Sequence, residues 1–139
     1  MNRADILEKL RALPWEPGDY WVITGAAMVL YGLRERTHDI DLGCTSKLAD
    51  ALEAEGLPCR VMEDGNRWFQ PEDSVEVFEN WIYDRIVSVD GLPVLSLEGL
   101  LEMKRSLGRE KDRRDIRLLL DALGHKEETL TLGERVVGL

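Results

Sequence analysis

The sequence has few cysteines and lacks the long apolar segments that are typical of secreted or membrane-spanning proteins. It has two cysteines among 139 residues, and Cys44 and Cys59 lack the spacing of metal ligands. We expect both thiols to be reduced, although the sequence leaves a disulfide between them open. No apolar run is long enough to span a membrane, and residues 1–13 are too charged for a signal peptide. We therefore expect a cytoplasmic protein with no membrane partner.

Internal repeats, low-complexity tracts and interdomain linkers are also absent from the sequence. Hydrophobic residues make up 44% of the chain and charged residues 32%. This composition excludes a disordered chain and is typical of a soluble globular protein. We expect residues 1–139 to form one compact domain, with its core within residues 20–123.

Acidic residues outnumber basic ones, but not everywhere along the chain. The net charge of −9 argues against broad, nonspecific nucleic-acid binding. Residues 104–117, however, carry seven basic and three acidic side chains. This segment is either a solvated helix face with ion pairs between successive turns or a local phosphate-facing patch, and the sequence leaves both open.

Hydrophobic periodicity and capping signals predict a mixture of helices and strands. Helices are predicted at residues 4–12, 26–33, 45–55, 96–106 and 111–123. Strands are predicted at residues 20–24, 38–42, 59–62, 67–70, 74–78 and 86–89, with a turn at Asp90-Gly91. Residues 125–139 receive no assignment. The fold class expected is α/β (α+β), with a mixed β-sheet flanked by helices.

Two aspartates on the second predicted strand are the most informative residues. Asp39 and Asp41 are two positions apart, so on a strand their side chains project to the same face. Upstream, Gly25-Ala26 joins the first strand to a helix that begins with small residues. Two carboxylates beside such a helix start can hold a divalent metal and a phosphate together. The pattern therefore indicates phosphoryl or nucleotidyl chemistry.

The same residues resemble a known family. Gly25-Ala26, twelve residues and then Asp39-Ile40-Asp41 resembles the first motif of the polymerase-beta-like nucleotidyltransferase superfamily, which is Gly-Ser or Gly-Gly, a spacer and Asp-x-Asp. Residues 33–41 look most like the small bacterial branch that includes AbiEii-like abortive-infection toxins. Residues 95–104 resemble that branch's lysine-bearing helix, and residues 109–116 resemble its Arg-x-Lys-Asp-x-x-Asp-Ile motif.

The resemblance implies transfer of a nucleoside monophosphate from an NTP to an acceptor, with Mg²⁺ or Mn²⁺ as cofactor. Asp39 and Asp41 would supply most of the metal ligands. A third carboxylate is expected from a neighbouring strand, and Glu76 is the candidate because Val75 and Val77 would face the opposite way. Glu79 and Asp73 are the alternatives to Glu76. Lys104 completes the expected catalytic set by balancing charge near the phosphates.

The expected nucleotide-binding residues are Thr24, Gly25, Ala26, Lys104, Arg109 and Lys111. Gly25 would let the backbone approach the triphosphate, whereas packing is the other interpretation of Thr24. Asp112 and Asp115 would either position Lys104 or a basic neighbour, or cap the last helix.

Three further residues near these motifs are aromatic or imidazole side chains. His38 is expected to point away from Asp39, and Trp68 or Trp81 could stack on a base.

The sequence departs from the family pattern at two positions. Ala26 stands where the family has Ser or Gly, and Glu76 stands where it more often has Asp. A catalytically inactive nucleotide-binding or interaction domain on the same fold is therefore the alternative function. The acceptor could be tRNA, a protein or a small hydroxyl compound. The protein could also be a toxin with a separate antitoxin, or a homodimer whose partner supplies the acceptor surface.

Overall fold

The computed structural model describes residues 1–124. Residues 125–139, for which the sequence indicates no element, lie outside the described residues. Within residues 1–124, no helix is long and apolar enough to cross a membrane. The helices are α1 (Arg3–Arg11), α2 (Thr24–Leu30), α3 (Ser46–Ala54), α4 (Leu97–Leu107) and α5 (residues 113–124), with a 3₁₀ turn at Glu110–Asp112. The strands are β1 (Tyr20–Ile23), β2 (Ile40–Cys44), β3 (Cys59–Val61), β4 (Arg67–Glu72), β5 (Val75–Glu79), β6 (Ile86–Val89) and β7 (Leu92–Leu95).

The strands form one mixed sheet in the order β3-β4-β5-β2-β1-β7-β6. β2 pairs parallel with β5 and antiparallel with β1, while β1 pairs parallel with β7. The central strands are the most buried, because helices pack against the sheet and remove its apolar side chains from water. The predicted fold class, a mixed α/β sheet flanked by helices, is confirmed.

Helix boundaries follow the capping residues in the sequence. Thr45 and Ser96 precede α3 and α4, and each side-chain oxygen accepts a hydrogen bond from a backbone N–H in the first turn. Gly108 ends α4 in the left-handed conformation, with φ of 56°. Such a residue is usually glycine, because a Cβ is strained there. These caps place the start of α3 and both ends of α4.

Strand β7 was missed by the sequence prediction, which left residues 92–95 unassigned. All four of its residues are buried, so the segment shows no alternation of apolar and polar side chains, and Pro93 lacks an N–H for the sheet. β7 nevertheless lies between β1 and β6. The Asp90-Gly91 turn therefore joins a hairpin, as its sequence indicates.

The second strand begins later than predicted, and this changes the position of Asp39. β2 spans Ile40–Cys44, so Asp39 precedes the strand and does not share its alternation. The boundary is set by Ile40, whose N–H donates to the carbonyl of Ser74 at 2.7 Å and starts the pairing with β5. Asp41 remains on the strand as predicted.

Gly43 allows two aromatic residues to pack close to β2. A Cβ at this position would collide with the indole of Trp21 on the paired strand β1. The Trp21 ring crosses β2 there, and its Nε1–H donates to the carbonyl oxygen of Trp81 at 2.9 Å. Because Gly43 is two residues after Asp41, this contact fixes Trp81 near the face from which Asp41 projects.

Neither cysteine takes part in a disulfide. Cys44 is buried at the end of β2, Cys59 is half-buried, and both are free thiols. Burial raises the pKa of the Cys44 thiol to about 12, so it stays protonated and unreactive at neutral pH.

Candidate active site

A cleft of about 440 Å³ opens where β2 and β5 begin and β1 ends. Its walls come from the β1–α2 junction, the loop before β2, the end of α4 and the 3₁₀ turn. The charged residues that line it are five acids and four bases: Asp39, Asp41, Glu76, Asp112, Asp115, Arg34, Lys104, Arg109 and Lys111. The cleft therefore gathers most of the residues that the sequence singles out.

The parallel pairing of β2 and β5 places two carboxylates side by side. Asp41 and Glu76 are direct partners in the register, so their side chains leave the same face of the sheet. The pKa of Glu76 is raised to about 7, chiefly because burial disfavours its charged form, and then because of Asp41 and Asp39. Without a bound cation, Glu76 therefore holds a proton close to neutral pH.

One oxygen of Asp41 has no hydrogen-bond partner. Its Oδ2 accepts from the Thr24 hydroxyl at 2.6 Å, whereas Oδ1 is buried and unsatisfied among residues 1–124. A buried carboxylate oxygen without a donor is costly to leave in place. The proton of Glu76 or a bound cation would satisfy this carboxylate.

Thr24 has a strained backbone conformation where it contacts Asp41. Its φ is +50°, which is rare for a β-branched residue, and its side chain is buried. The left-handed turn takes the chain from β1 into α2 and points the hydroxyl at Asp41. Strain of this kind persists only where surrounding contacts fix the residue, and it concentrates at functional sites.

The absence of a side chain at Gly25 lets the loop before β2 pack against the start of α2. A Cβ there would be 2.5 Å from Thr37 Oγ1 and 3.1 Å from Arg34 Nη1. The loop before β2 therefore packs on the start of α2, and the Thr37 hydroxyl donates to the Asp39 carbonyl at 3.3 Å. The predicted approach of a triphosphate to Gly25 would require Thr37 or Arg34 to move.

A buried lysine lines the same cleft as the β2–β5 carboxylates. Lys104 is 5% exposed, and its Nζ pairs with Asp112 Oδ1 at 3.3 Å and with Asp115 Oδ2 at 3.1 Å. Of the two interpretations of these aspartates, the structure supports the positioning of Lys104. Asp112 also accepts from the backbone N–H of Arg109 at 3.1 Å, so it has a local capping role as well.

Asp112 and Asp115 hold two arginines in addition to Lys104. Arg109 Nε donates to Asp112 Oδ2 at 2.7 Å, and this bond holds the pKa of Asp112 down at about 2. Arg34 Nη1 lies 3.4 Å from Asp115 Oδ2. The sequence indicates no role for Arg34, because no local pattern predicts that this loop residue pairs with Asp115.

Four predicted site residues need correction. Ala26 is fully buried in the core and is not among the cleft residues, so only its backbone could serve a nucleotide. Glu79, an alternative to Glu76, faces the other side of β5 and pairs with Arg67 at 2.6 Å, which lowers the pKa of Glu79 to about 2. Asp73 is an exposed turn residue outside the cleft lining. His38, expected to point away, lines the cleft.

Of the two tryptophans expected to stack on a base, one lines the cleft and the other does not. Trp81 lines the cleft together with Phe78, and their ring centroids are 4.8 Å apart in an edge-to-face arrangement. Trp68 lies on β4 outside that lining, with the Arg60 guanidinium 5.3 Å from its ring centroid. The Trp68 side chain nevertheless contacts Glu76, where its hydrogen bond lowers the pKa of that carboxyl, so both tryptophans lie near the paired carboxyl groups.

The carboxylates of the cleft meet some of the requirements of a site for a hard divalent cation. Oxygen ligands suit Mg²⁺ and Mn²⁺, and Asp41 Oδ1 is a buried acceptor without a partner. Among residues 1–124, however, no three side chains of His, Cys, Asp or Glu form a ready-made metal site. Asp41 and Glu76 are paired by the sheet, whereas Asp39 is exposed in the preceding loop. That Asp39 joins them at a metal stays a prediction.

No family model matches the sequence, and no curated protein sequence matches it. Two solved structures are similar to this chain. One is a Thermotoga maritima protein provisionally assigned as a nucleotidyltransferase, with 23% identity and a TM-score of 0.58 over 88% of this chain and 96% of that chain. The other is ANT(2″)-Ia in complex with adenylyl-2″-tobramycin, with 20% identity and a TM-score of 0.50 over 99% of this chain and 95% of that chain.

These similarities show the fold. The mixed sheet and its helices have the nucleotidyltransferase architecture that the sequence motifs predict. The narrower resemblance to the AbiEii-like branch is not confirmed, because neither structure is identified with that branch.

Glu76→Gln should remove a pH dependence of stability. The pKa of Glu76 rises from 4.5 to about 7 on folding. Between these two pH values the native state binds more protons than the unfolded state, so the free energy of unfolding falls as pH rises through this range. At about pH 8, without divalent cations, the variant should be about 1–2 kcal/mol more stable than the wild type, a value discounted for solvent screening. Urea unfolding at about pH 5 and about pH 8 measures the difference.

The matched control is Asp73→Asn, an exposed carboxylate outside the cleft. It should leave the pH dependence as in the wild type. An equal stability difference between wild type and Glu76→Gln at both pH values would contradict the raised pKa of Glu76.

Thr24→Val should destabilise the protein by about 1–3 kcal/mol, because it removes the donor to Asp41 Oδ2 while keeping the β-branched shape. Thr24→Ser keeps the hydroxyl and should lie close to the wild type. Urea unfolding in the absence of divalent cations compares the three proteins. Equal stability of the valine variant would show that the hydroxyl does not hold Asp41.

Proposed function

We propose that the cleft is the active site of a metal-dependent nucleotidyltransferase. An acceptor hydroxyl oxygen forms a bond to the α-phosphorus of an NTP, the bond from that phosphorus to the β-phosphate oxygen breaks, and pyrophosphate leaves. The observation that carries the proposal is the pairing of Asp41 with Glu76 in a cleft that basic side chains also line, with the buried Oδ1 of Asp41 lacking a hydrogen-bond partner among residues 1–124. The likeness of the fold to two nucleotidyltransferase structures supports it.

The metal would be Mg²⁺ or Mn²⁺, held by Asp41 and Glu76 with Asp39 as the third ligand. When bound, such an ion neutralises phosphate charge and aligns the attacking and leaving oxygens. Asp41 is oriented for this role by Thr24, which occupies one carboxylate oxygen and leaves the other free. Glu76 is the residue we assign to receive the proton of the acceptor hydroxyl, directly or through water.

The basic residues of the cleft would hold the triphosphate. Lys104 is locked by two aspartates, so it presents a fixed positive charge with little conformational entropy left to lose on binding. Arg109 shares Asp112 with it, and Lys111 lines the same cleft. Phe78 and Trp81 would exclude water from one side of the reacting atoms and offer ring faces to a base.

A second candidate is a nucleotide-binding domain without turnover. The observation that favours it is the absence, within residues 1–124, of three side chains already arranged around a metal. The departures from the family pattern at Ala26 and Glu76 are consistent with this second candidate. The biological role of a toxin with its antitoxin rests on the sequence resemblance alone, and it is compatible with either candidate.

Purified protein incubated with Mg²⁺ and each labelled NTP, with and without bulk tRNA, tests the proposal. We expect label transfer or pyrophosphate release from one nucleotide, lowered about a hundredfold or more in Asp41→Asn and in Glu76→Gln, because each removes a carboxylate from the pair. Asp73→Asn, the matched control outside the cleft, should retain full activity.

Mg²⁺-dependent binding of an NTP without turnover would favour the second candidate. Absence of any NTP binding to the wild type would contradict both candidates and leave only the fold.

A further inference from the structure

The short connection between β5 and β6 crosses the face of the sheet on which the cleft lies. It consists of residues 80–85, which we call the crossing segment. β5 and β6 stand four places apart in the sheet, with β2, β1 and β7 between them, so the segment spans about 19 Å at the usual strand spacing. Its backbone contacts the side chain of Trp21. Trp21 opposes Gly43 in the register and therefore projects from the same face as Asp41.

Both ends of the crossing segment are fixed by hydrogen bonds. At its start, the Asn80 N–H donates to the carbonyl of Cys44 at 2.7 Å, at the end of β2. At its end, the Ser96 N–H donates to the carbonyl of Arg85 at 3.0 Å, and the Ser96 hydroxyl donates to Asp84 Oδ2 at 2.6 Å. The position of the residues between these ends therefore depends on contacts with the sheet below them.

Trp21 supplies such a contact at Trp81. The Trp21 side chain is 6% exposed, and a buried indole N–H needs an acceptor. Its Nε1–H donates to the Trp81 carbonyl at 2.9 Å, and the missing side chain of Gly43 gives the ring room to lie across β2. A phenylalanine could fill much of this space. Only an indole also provides a donor that holds the Trp81 peptide in one place.

The Trp81 peptide carries one wall of the cleft. The Trp81 ring packs edge-to-face on Phe78, with ring centroids 4.8 Å apart, and both rings line the cleft together with Asp41 and Glu76. Phe78 follows Glu76 by two residues on β5, so its side chain leaves the sheet on the same side. The position of the Trp81 backbone therefore determines how this aromatic wall stands beside the paired carboxyl groups.

We propose that Trp21 is a positioning residue of the active site, whose indole N–H fixes the Trp81 backbone and thereby the Phe78–Trp81 wall against which the nucleotide binds. This inference rests on the proposed function. Trp21 is not among the residues that line the cleft, so it acts on the nucleotide only through Trp81. Loss of the hydrogen bond should raise KM for the NTP and largely retain kcat, because the reacting groups stay in place.

A double-mutant cycle tests whether Trp21 acts through Trp81. Isothermal titration with an NTP and Mg²⁺ compares the wild type, Trp21→Phe, Trp81→Ala and the double variant. Trp21→Phe should bind about three- to tenfold more weakly, the range that one hydrogen bond accounts for. The double variant should bind no more weakly than Trp81→Ala. Additive losses would overturn the proposal, because Trp21 would then affect binding by a route that does not include the Trp81 ring.

The matched control is Trp15→Phe, which removes an indole outside the cleft and should leave NTP binding as in the wild type. A second variant carries 3-benzothienylalanine at position 21, so that sulfur replaces the N–H and the ring keeps nearly the same shape. It should reproduce the weaker binding of Trp21→Phe even if the smaller phenyl ring disturbs packing. Wild-type affinity of this isostere would overturn the proposal, because packing and not the hydrogen bond would then be the cause.

The indole N–H resonances of the four tryptophans provide a readout that does not require turnover. The Trp21 indole proton should exchange with solvent more slowly than that of Trp15, because it is buried and hydrogen-bonded. Addition of the NTP should shift the Trp81 resonance, and Trp21→Phe should reduce this shift. Exchange as fast at Trp21 as at Trp15 would contradict the hydrogen bond itself.

The same titrations separate this inference from the proposed function. A wild-type protein that binds no NTP would contradict the proposed function and remove the ligand of the aromatic wall. A wild-type protein that binds and turns over an NTP, with Trp21→Phe indistinguishable from it, would overturn this inference alone.

Discussion

The parallel pairing of β2 with β5 is the constraint on which the rest of the cleft depends. It places Asp41 beside Glu76 on one face of the sheet, where burial and mutual repulsion raise the pKa of Glu76 to about 7. The Thr24 hydroxyl donates a short hydrogen bond to one Asp41 oxygen, and the other Asp41 oxygen has no partner among residues 1–124. The fold thus favours the protonated form of Glu76 near neutral pH, and a divalent cation would stabilise its charged form instead.

A complementary cluster of opposite sign ties together the remaining walls of the cleft. Asp112 and Asp115 join the end of α4, the 3₁₀ turn, the start of α5 and the loop before β2 through Lys104, Arg109 and Arg34. Buried ion pairs of this kind contribute little net stability, because desolvation offsets the attraction. Their value lies in fixed placement, and here they hold Lys104, Arg109 and Arg34 in the lining of the cleft.

The sequence predicted the mixed sheet and most strands, because alternation and helix caps are local signals. Asp41, Glu76 and Lys104, which the sequence assigns to one site, line one cleft, while their roles stay predictions. The sequence did not predict β7, because all four residues of this strand are buried and show no alternation of apolar and polar side chains. Nor did it indicate the Thr24–Asp41 bond or the pairing of Arg34 with Asp115. These depend on a left-handed backbone turn and on contacts between distant segments, which no local pattern encodes. The metal, the nucleotide and the acceptor remain predictions.

A crystal structure with Mn²⁺ and a non-hydrolysable NTP analogue tests the central claim most directly. The account predicts an anomalous Mn²⁺ peak within about 2.0–2.4 Å of carboxylate oxygens of Asp41 and Glu76, with the triphosphate against Lys104 and Arg109. Mn²⁺ and the analogue bound elsewhere, or a cleft that takes up neither at saturating concentrations, would contradict it.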